Sequence, residues 1–205
     1  MEIKVNGLGK KFIQEWIFRD LSAVFRTGSP TAITGPNGSG KSTLLQLLSG
    51  QHLATKGEIK YHHNEEPIPV ESIYRYLSIA APYLELIEEF KLDELLSFHF
   101  KFKPLNKGLT QEDFKALTHL EKEGQKEVKK FSSGMKQRLK LGLCFFTQSP
   151  ICLLDEPTSN LDHFGVEWYL NHIEQVAKDR LLIISSNQAH EYNCCDQHIY
   201  IPDFK

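Results

Sequence analysis

The run Gly35-Pro36-Asn37-Gly38-Ser39-Gly40-Lys41-Ser42-Thr43 fits G-x-x-x-x-G-K-[ST], the pattern of a phosphate-binding loop. Its glycines let the backbone fold into a concave nest whose N–H groups point at phosphate oxygens. A helix that opens at the loop's end adds unpaired N–H donors and a partial positive charge. Lys41 is expected to reach the terminal phosphates, and the Ser42 hydroxyl to ligate Mg²⁺. A second chemical centre lies far downstream, at Ile151-Cys152-Leu153-Leu154-Asp155-Glu156. Four apolar residues running into two carboxylates read as a buried strand that delivers acid at its C-terminal end, where parallel sheets bind ligands. Asp155 is placed to hold Mg²⁺, directly or through water, and Glu156 to polarise a water attacking a γ-phosphate.

These groups need a scaffold, and the pattern around them supplies one. Thr31-Ala32-Ile33 reads as a short buried strand into the loop, and Leu44, Leu45, Leu47 and Leu48 as the inner face of a helix ending near Gly50. Residues 2–6 and 16–25 alternate apolar and polar side chains, the mark of antiparallel strands with one wet face. Gly57 to Tyr61 reads as a further short strand, and His62 to Pro67 as a solvated hairpin end. Ile73 to Ile79 is strand-like. From Lys91 to about Gln148 the period becomes helical, with Leu92, Leu95, Leu96 and His99 on one face and Phe114, Leu117, Leu120 and Glu121 on a weaker second helix. Pro104 and Gly108 place a loop over 101–110. A helix at 164–178, a strand over Leu181 to Ile184 and a last strand at 198–201 complete an α/β pattern.

With 205 residues the chain is long enough for one sizeable core with an attached subdomain. Lys and Arg number 24 against 26 Asp and Glu, a net charge of −2 that offers no electrostatic case for a nucleic-acid partner. No apolar run approaches the roughly 20 residues a bilayer span needs. The N-terminal Met1-Glu2-Ile3-Lys4-Val5 is a strand pattern rather than a signal peptide, so a cytoplasmic location is expected. The four cysteines include the adjacent pair Cys194-Cys195, but no second Cys or His pair stands at metal-ligand spacing.

Together these pieces resemble the ATP-binding cassette family of ATPases over nearly the whole chain. The residues that decide it are Phe131-Ser132-Ser133-Gly134-Met135-Lys136-Gln137-Arg138, which look like the family signature, usually LSGGQ followed by a basic residue, Gln and Arg. In the family this segment caps the γ-phosphate of ATP held by a second, facing domain, which implies nucleotide contacts from Ser132, Ser133, Gly134 and Met135. Ser159-Asn160-Leu161-Asp162 resembles the dimer-contact loop that crosses between the two sites. Phe12 lies where the family stacks an aromatic on adenine, with Trp16 as a competitor for that role.

Two positions depart from the family. Ala80 occupies the place of a Gln that helps hold Mg²⁺ and water, and Asn187 the place of a His that contacts the γ-phosphate. An amide can donate a hydrogen bond but cannot act as an acid–base group.

The resemblance implies a P-loop NTPase fold with a mostly parallel core sheet and an N-terminal antiparallel β subdomain, together spanning 1–79 and 150–205. An inserted helical subdomain over about 82–149 includes the signature. It further implies an Mg·ATP-dependent ATPase subunit of a transporter, slowed by Ala80 and Asn187. That subunit would pair with a second nucleotide-binding domain and drive a separate membrane subunit docked near Tyr83 to Phe90, at the inner face of the membrane. A soluble ATPase switch acting on a ribosome, nucleic acid or assembly system, or a nucleotide-sensing module, are the alternative readings.

Overall fold

The computed structural model describes residues 1–205. Two sheets carry the chain. β1 (Glu2–Phe12), β2 (Glu15–Arg26), β4 (Lys56–His63) and β5 (Glu66–Ile68) form an antiparallel sheet in the order β2-β1-β4-β5. The second sheet, wholly parallel, has the order β6-β7-β8-β3-β9, from β3 (Thr31–Thr34), β6 (Leu77–Ala80), β7 (Ile151–Asp155), β8 (Leu181–Ser185) and β9 (Gln197–Tyr200). The helices are α1 (Lys41–Leu48), α2 (Leu92–Phe102), α3 (Gln111–Leu117), α4 (Ser133–Phe145) and α5 (His163–Asp179). None is long and apolar enough to cross a membrane.

The unbroken apolar runs of the parallel strands have a simple cause. Successive side chains point to opposite faces, and both faces are covered. Ile33, Ile151, Leu153, Leu181 and Ile183 pack with α1 and the antiparallel sheet in one hydrophobic cluster. Their neighbours Ala32, Cys152, Leu154, Leu182 and Ile184 pack with residues of α2, α4 and α5 in the other. The helical block therefore shares a continuous core with one face of the sheet.

Four local expectations are revised. The strand read over Ile73 to Ile79 is only Leu77–Ala80, because a 3-10 turn occupies Val70–Arg75. Pro69 stands at the turn's N-cap and accepts from the Ser72 amide at 2.9 Å; of the turn's residues only Ile73 is buried, so the apparent alternation was not a pleat. The second helix stops at Leu117: His119 takes a left-handed φ of 55°, and Leu120 is buried beyond the break. α2 runs to Phe102, so the loop begins at Lys103, immediately before Pro104, whose ring disfavours helix at the preceding residue. His62 and His63 lie within β4, and the hairpin itself turns on Asn64 and Glu65, both at positive φ (51° and 69°) as a tight two-residue turn demands.

Candidate nucleotide site

The C-terminal ends of β3, β7, β8 and β6 lie side by side, and each delivers one part of the site. From β3 the chain enters the glycine loop and then α1. A Cβ on Gly40 would come within 2.3 Å of Ile17 Cγ2, and Gly40 sits at φ 113°, so only glycine fits there. Having no side chain, Gly40 gives α1 no side-chain cap, and the first-turn amides are left for a ligand. Lys41 is 5% exposed, and its Nζ donates to Gly35 O at 2.9 Å and Pro36 O at 3.4 Å. A cavity of about 220 Å³ opens on this loop, lined by Ile17, Asn37, Lys41, Ser42, Thr43 and Glu156 among others.

Asp155 ends β7 and is 2% exposed. Ser185 at the end of β8 donates to its Oδ1 at 2.6 Å, which fixes the carboxylate's orientation. Glu156 follows in a left-handed backbone conformation, φ 45°, uncommon for a non-glycine residue. Its amide donates to Ser185 O at 2.8 Å, so the strand pairing is kept while its side chain turns to the cavity. Asn187 Nδ2 donates to Asn37 Oδ1 at 2.7 Å, joining residues 150 apart in sequence. The site thus brings together Asn37, Lys41, Ser42, Thr43, Glu156 and Asn187, with Asp155 behind them.

The donor chemistry fits a nucleotide phosphate and its magnesium ion. Ser39 Oγ is buried in the loop without a partner, and the oxygens on offer at Ser42 and Asp155 are the hard donors Mg²⁺ takes.

Several expected residues stand elsewhere. Ser132 caps α4, accepting from the Met135 amide at 3.2 Å, and with Ser133 it is exposed. Neither these nor Gly134 nor Met135 lines the phosphate cavity of its own chain. Gly134 instead lies against the Ser159–Asp162 loop, where an added Cβ would sit 3.3 Å from Asn160 O. Asp162 caps α5, accepting from the Gly165 amide at 2.8 Å. Phe12 is 46% exposed, with Lys10 Nζ 4.9 Å from its ring centre, while Trp16 lies over Gly9. It is Ile17 of that strand pair, not Phe12 or Trp16, that borders the cavity.

Ala80 is the last residue of β6 and pairs with Leu154. Tyr83, three residues beyond it, is 39% exposed and outside the cavity's lining; partial burial pushes its phenol pKa up, the Asp155 charge adds to this, and Gln46 of α1 opposes the rise. Sequence reading placed Tyr83 only in the docking loop. Gln46, one helical turn after Ser42, carried no motif signal.

The loop from Tyr83 to Phe90, where docking is expected, is also less acidic in effect than its composition. Glu88 pairs with Lys136 of α4 at 2.5 Å, and Glu85 lies in the field of Lys140.

Comparison with known proteins agrees with this arrangement. The profile of the family described as ABC transporter matches residues 18–159. The phospholipid-transporting ATPase ABCA3 of Mus musculus is 28% identical over 206 residues, which cover 97% of this chain and 12% of that protein. The uncharacterized ABC transporter ATP-binding protein YybJ of Bacillus subtilis (strain 168) is 30% identical over 196 residues, covering 95% and 89% respectively. The chain spans 61% and 65% of two further B. subtilis ABC transporter ATP-binding proteins. The dimeric structure of MJ0796, a bacterial ABC transporter cassette, superposes with a TM-score of 0.81 at 19% identity, covering 97% of this chain and 93% of that one. The chain belongs to the ABC transporter family.

Proposed function

We propose that this cassette binds Mg·ATP in the Gly35–Thr43 loop, pairs with a second cassette around the nucleotide, and hydrolyses it slowly to move a separate membrane subunit. The observation that carries the reading is the single cavity lined by phosphate-loop residues together with Glu156. Loop amides and Lys41 bind the phosphates. Ser42 and Asp155 would hold Mg²⁺, which when bound offsets phosphate charge. Glu156 accepts the proton of the attacking water. Asn187 donates a hydrogen bond where an acid–base group would titrate, and Ala80 offers no polar group. Loss of one positioned donor to a developing negative charge costs on the order of 10²-fold in rate, which supports slow turnover.

The exposed turn at Ser132 to Met135 would close over ATP held by the partner cassette, with Asp162 in the contact loop beside it. Phe12, exposed at the end of β1 and outside the cavity's lining, would supply a flat apolar surface for adenine.

For the membrane subunit, a groove of about 420 Å³ lies beside the docking loop, between Leu84, Leu86, Ala80 and Ile79 on one side and Lys140 and Leu143 of α4 on the other. His99 also lines it, its pKa pushed down to about 4 by burial and by Lys103, so the imidazole is neutral at physiological pH. A short amphipathic helix with an apolar face suits this groove better than a purely basic one. This reading places the chain at the cytoplasmic face of a membrane.

Isothermal titration with Mg·ATP tests the binding core. Wild type is expected to bind and Lys41→Ala to lose affinity; equal affinity in the two sinks the proposal. Steady-state turnover matching that of a cassette with both Gln and His in place would refute the slow-site part alone. Co-purification of a membrane-spanning protein from detergent extracts, lost when Leu84 and Leu86 become Glu, checks the docking groove.

A further inference from the structure

Between the catalytic Glu156 and the contact loop lies Pro157-Thr158, and it is held from two sides. Gln137 of α4 donates its Nε2 to Pro157 O at 2.7 Å. On the other side the Thr158 amide donates to Glu191 Oε1 at 2.7 Å, and the Thr158 hydroxyl donates to the same oxygen. His190 Nε2 lies 3.2 Å from that hydroxyl.

Glu191 is fully buried, faces no lysine or arginine within ion-pair distance, and leaves Oε2 without a partner. A buried carboxylate so sparsely compensated is costly, and a residue kept there only for packing would be better apolar. Its backbone is anchored too, since Tyr169 of α5 donates its hydroxyl to Glu191 O at 2.6 Å.

Thr158 sits between two non-glycine residues in left-handed conformation, Glu156 at φ 45° and Asn160 at φ 64°. Such backbone persists only where the surroundings over-determine it. Glu191 also belongs to the short segment whose Asn187 touches Asn37 of the phosphate loop.

We propose that Glu191 is a positioning residue of the hydrolytic site: by gripping Thr158 it holds the left-handed turns on either side, so that Glu156 stays aimed at the cavity and Asn160 to Asp162 stays presented. The segment 187–191 then ties nucleotide contact at the phosphate loop to the contact loop through one carboxylate. The proposal rests on hydrolysis at the Glu156 cavity, so its test has one arm that does not need turnover.

In Glu191→Ala, amide hydrogen exchange over 157–161 is expected to rise at least about tenfold, while exchange in β7 and α1 stays as in wild type. Displacing a catalytic group by about 1 Å can cost on the order of 10²-fold, so kcat is expected to fall by about 10- to 100-fold, with calorimetric ATP affinity within about twofold. Glu191→Gln keeps an acceptor oxygen toward Thr158 and restores kcat to within a few-fold. Thr158→Val keeps the amide donor and removes the hydroxyl; its smaller shift in both readouts serves if Glu191→Ala fails to fold. Unchanged exchange over 157–161 in both Glu191→Ala and Thr158→Val overturns the grip, whether or not the chain turns over ATP. A kcat loss matched by an equal loss of affinity, or Glu191→Gln as impaired as Glu191→Ala, also overturns it. An inactive wild type whose Glu191→Ala exchange still rises would refute hydrolysis but leave the grip standing.

Discussion

Two helices of this chain begin at glycine- and serine-rich turns, and they use the same physics to different ends. α1 opens at Gly40 with no side-chain cap, and its first turn faces a cavity walled by the chain's own residues. α4 opens at Ser132, whose hydroxyl already takes the Met135 amide, and its first turn faces outward beside Asn160. Unpaired amides at a helix start attract anions in both cases. At α1 a lysine and a carboxylate strand complete the site from within the chain. At α4 nothing on the same chain does, and on the proposed reading its phosphate comes from a partner cassette. On that reading one helix start is a full binding site and the other is half of one.

The contrast can be broken by mutation. The largest expected effect is at Glu156, on the α1 side of the contrast: Glu156→Gln should lower steady-state turnover by about 10²- to 10⁴-fold, the usual contribution of a positioned base, with calorimetric ATP affinity retained. Lys41→Ala should weaken Mg·ATP binding by about 10- to 100-fold, as loss of a charge-assisted hydrogen bond of about 1.5–3 kcal/mol implies; titration calorimetry on the isolated chain reads this.

At α4 the expected pattern is inverted. Gly134→Asp places a negative charge at the turn that should meet a partner's phosphate, so ATP-dependent pairing in sedimentation should fall by about tenfold while affinity of the single chain is unchanged. A fall in single-chain affinity would mean that α4 serves its own nucleotide, and the contrast would be wrong. Smallest is Ser132→Ala, expected to cost about 1 kcal/mol in denaturant unfolding through the lost cap. An equal cost for Gly40→Ser would be unexpected, because at Gly40 the clash with Ile17 should dominate any new cap.

What could be read before folding was whatever is local in the chain. The phosphate loop, the Asp155-Glu156 strand end and the signature turn are contiguous motifs, and each sits in the element expected of it. The influence of the Asp155 charge on the Tyr83 phenol was not legible, because it depends on β6 lying next to β7 in the sheet. Glu191 belongs to no motif, and only packing against α5 buries it against Thr158. The strand expected from Ile73 failed for a related reason, since alternation in sequence does not distinguish a pleat from a 3-10 turn with one buried residue.

By itself the sequence determined which groups offer phosphate and metal chemistry, since glycine torsional freedom, a lysine's charge and an acid at a strand's end are properties of residue type and spacing. Tertiary structure decided which of them meet. The order β6-β7-β8-β3 sets Ser185 on Asp155, Asn187 on Asn37 and Glu191 on Thr158. Those contacts join residues far apart along the chain, and no local pattern encodes a distance that only the adjacency of strands creates.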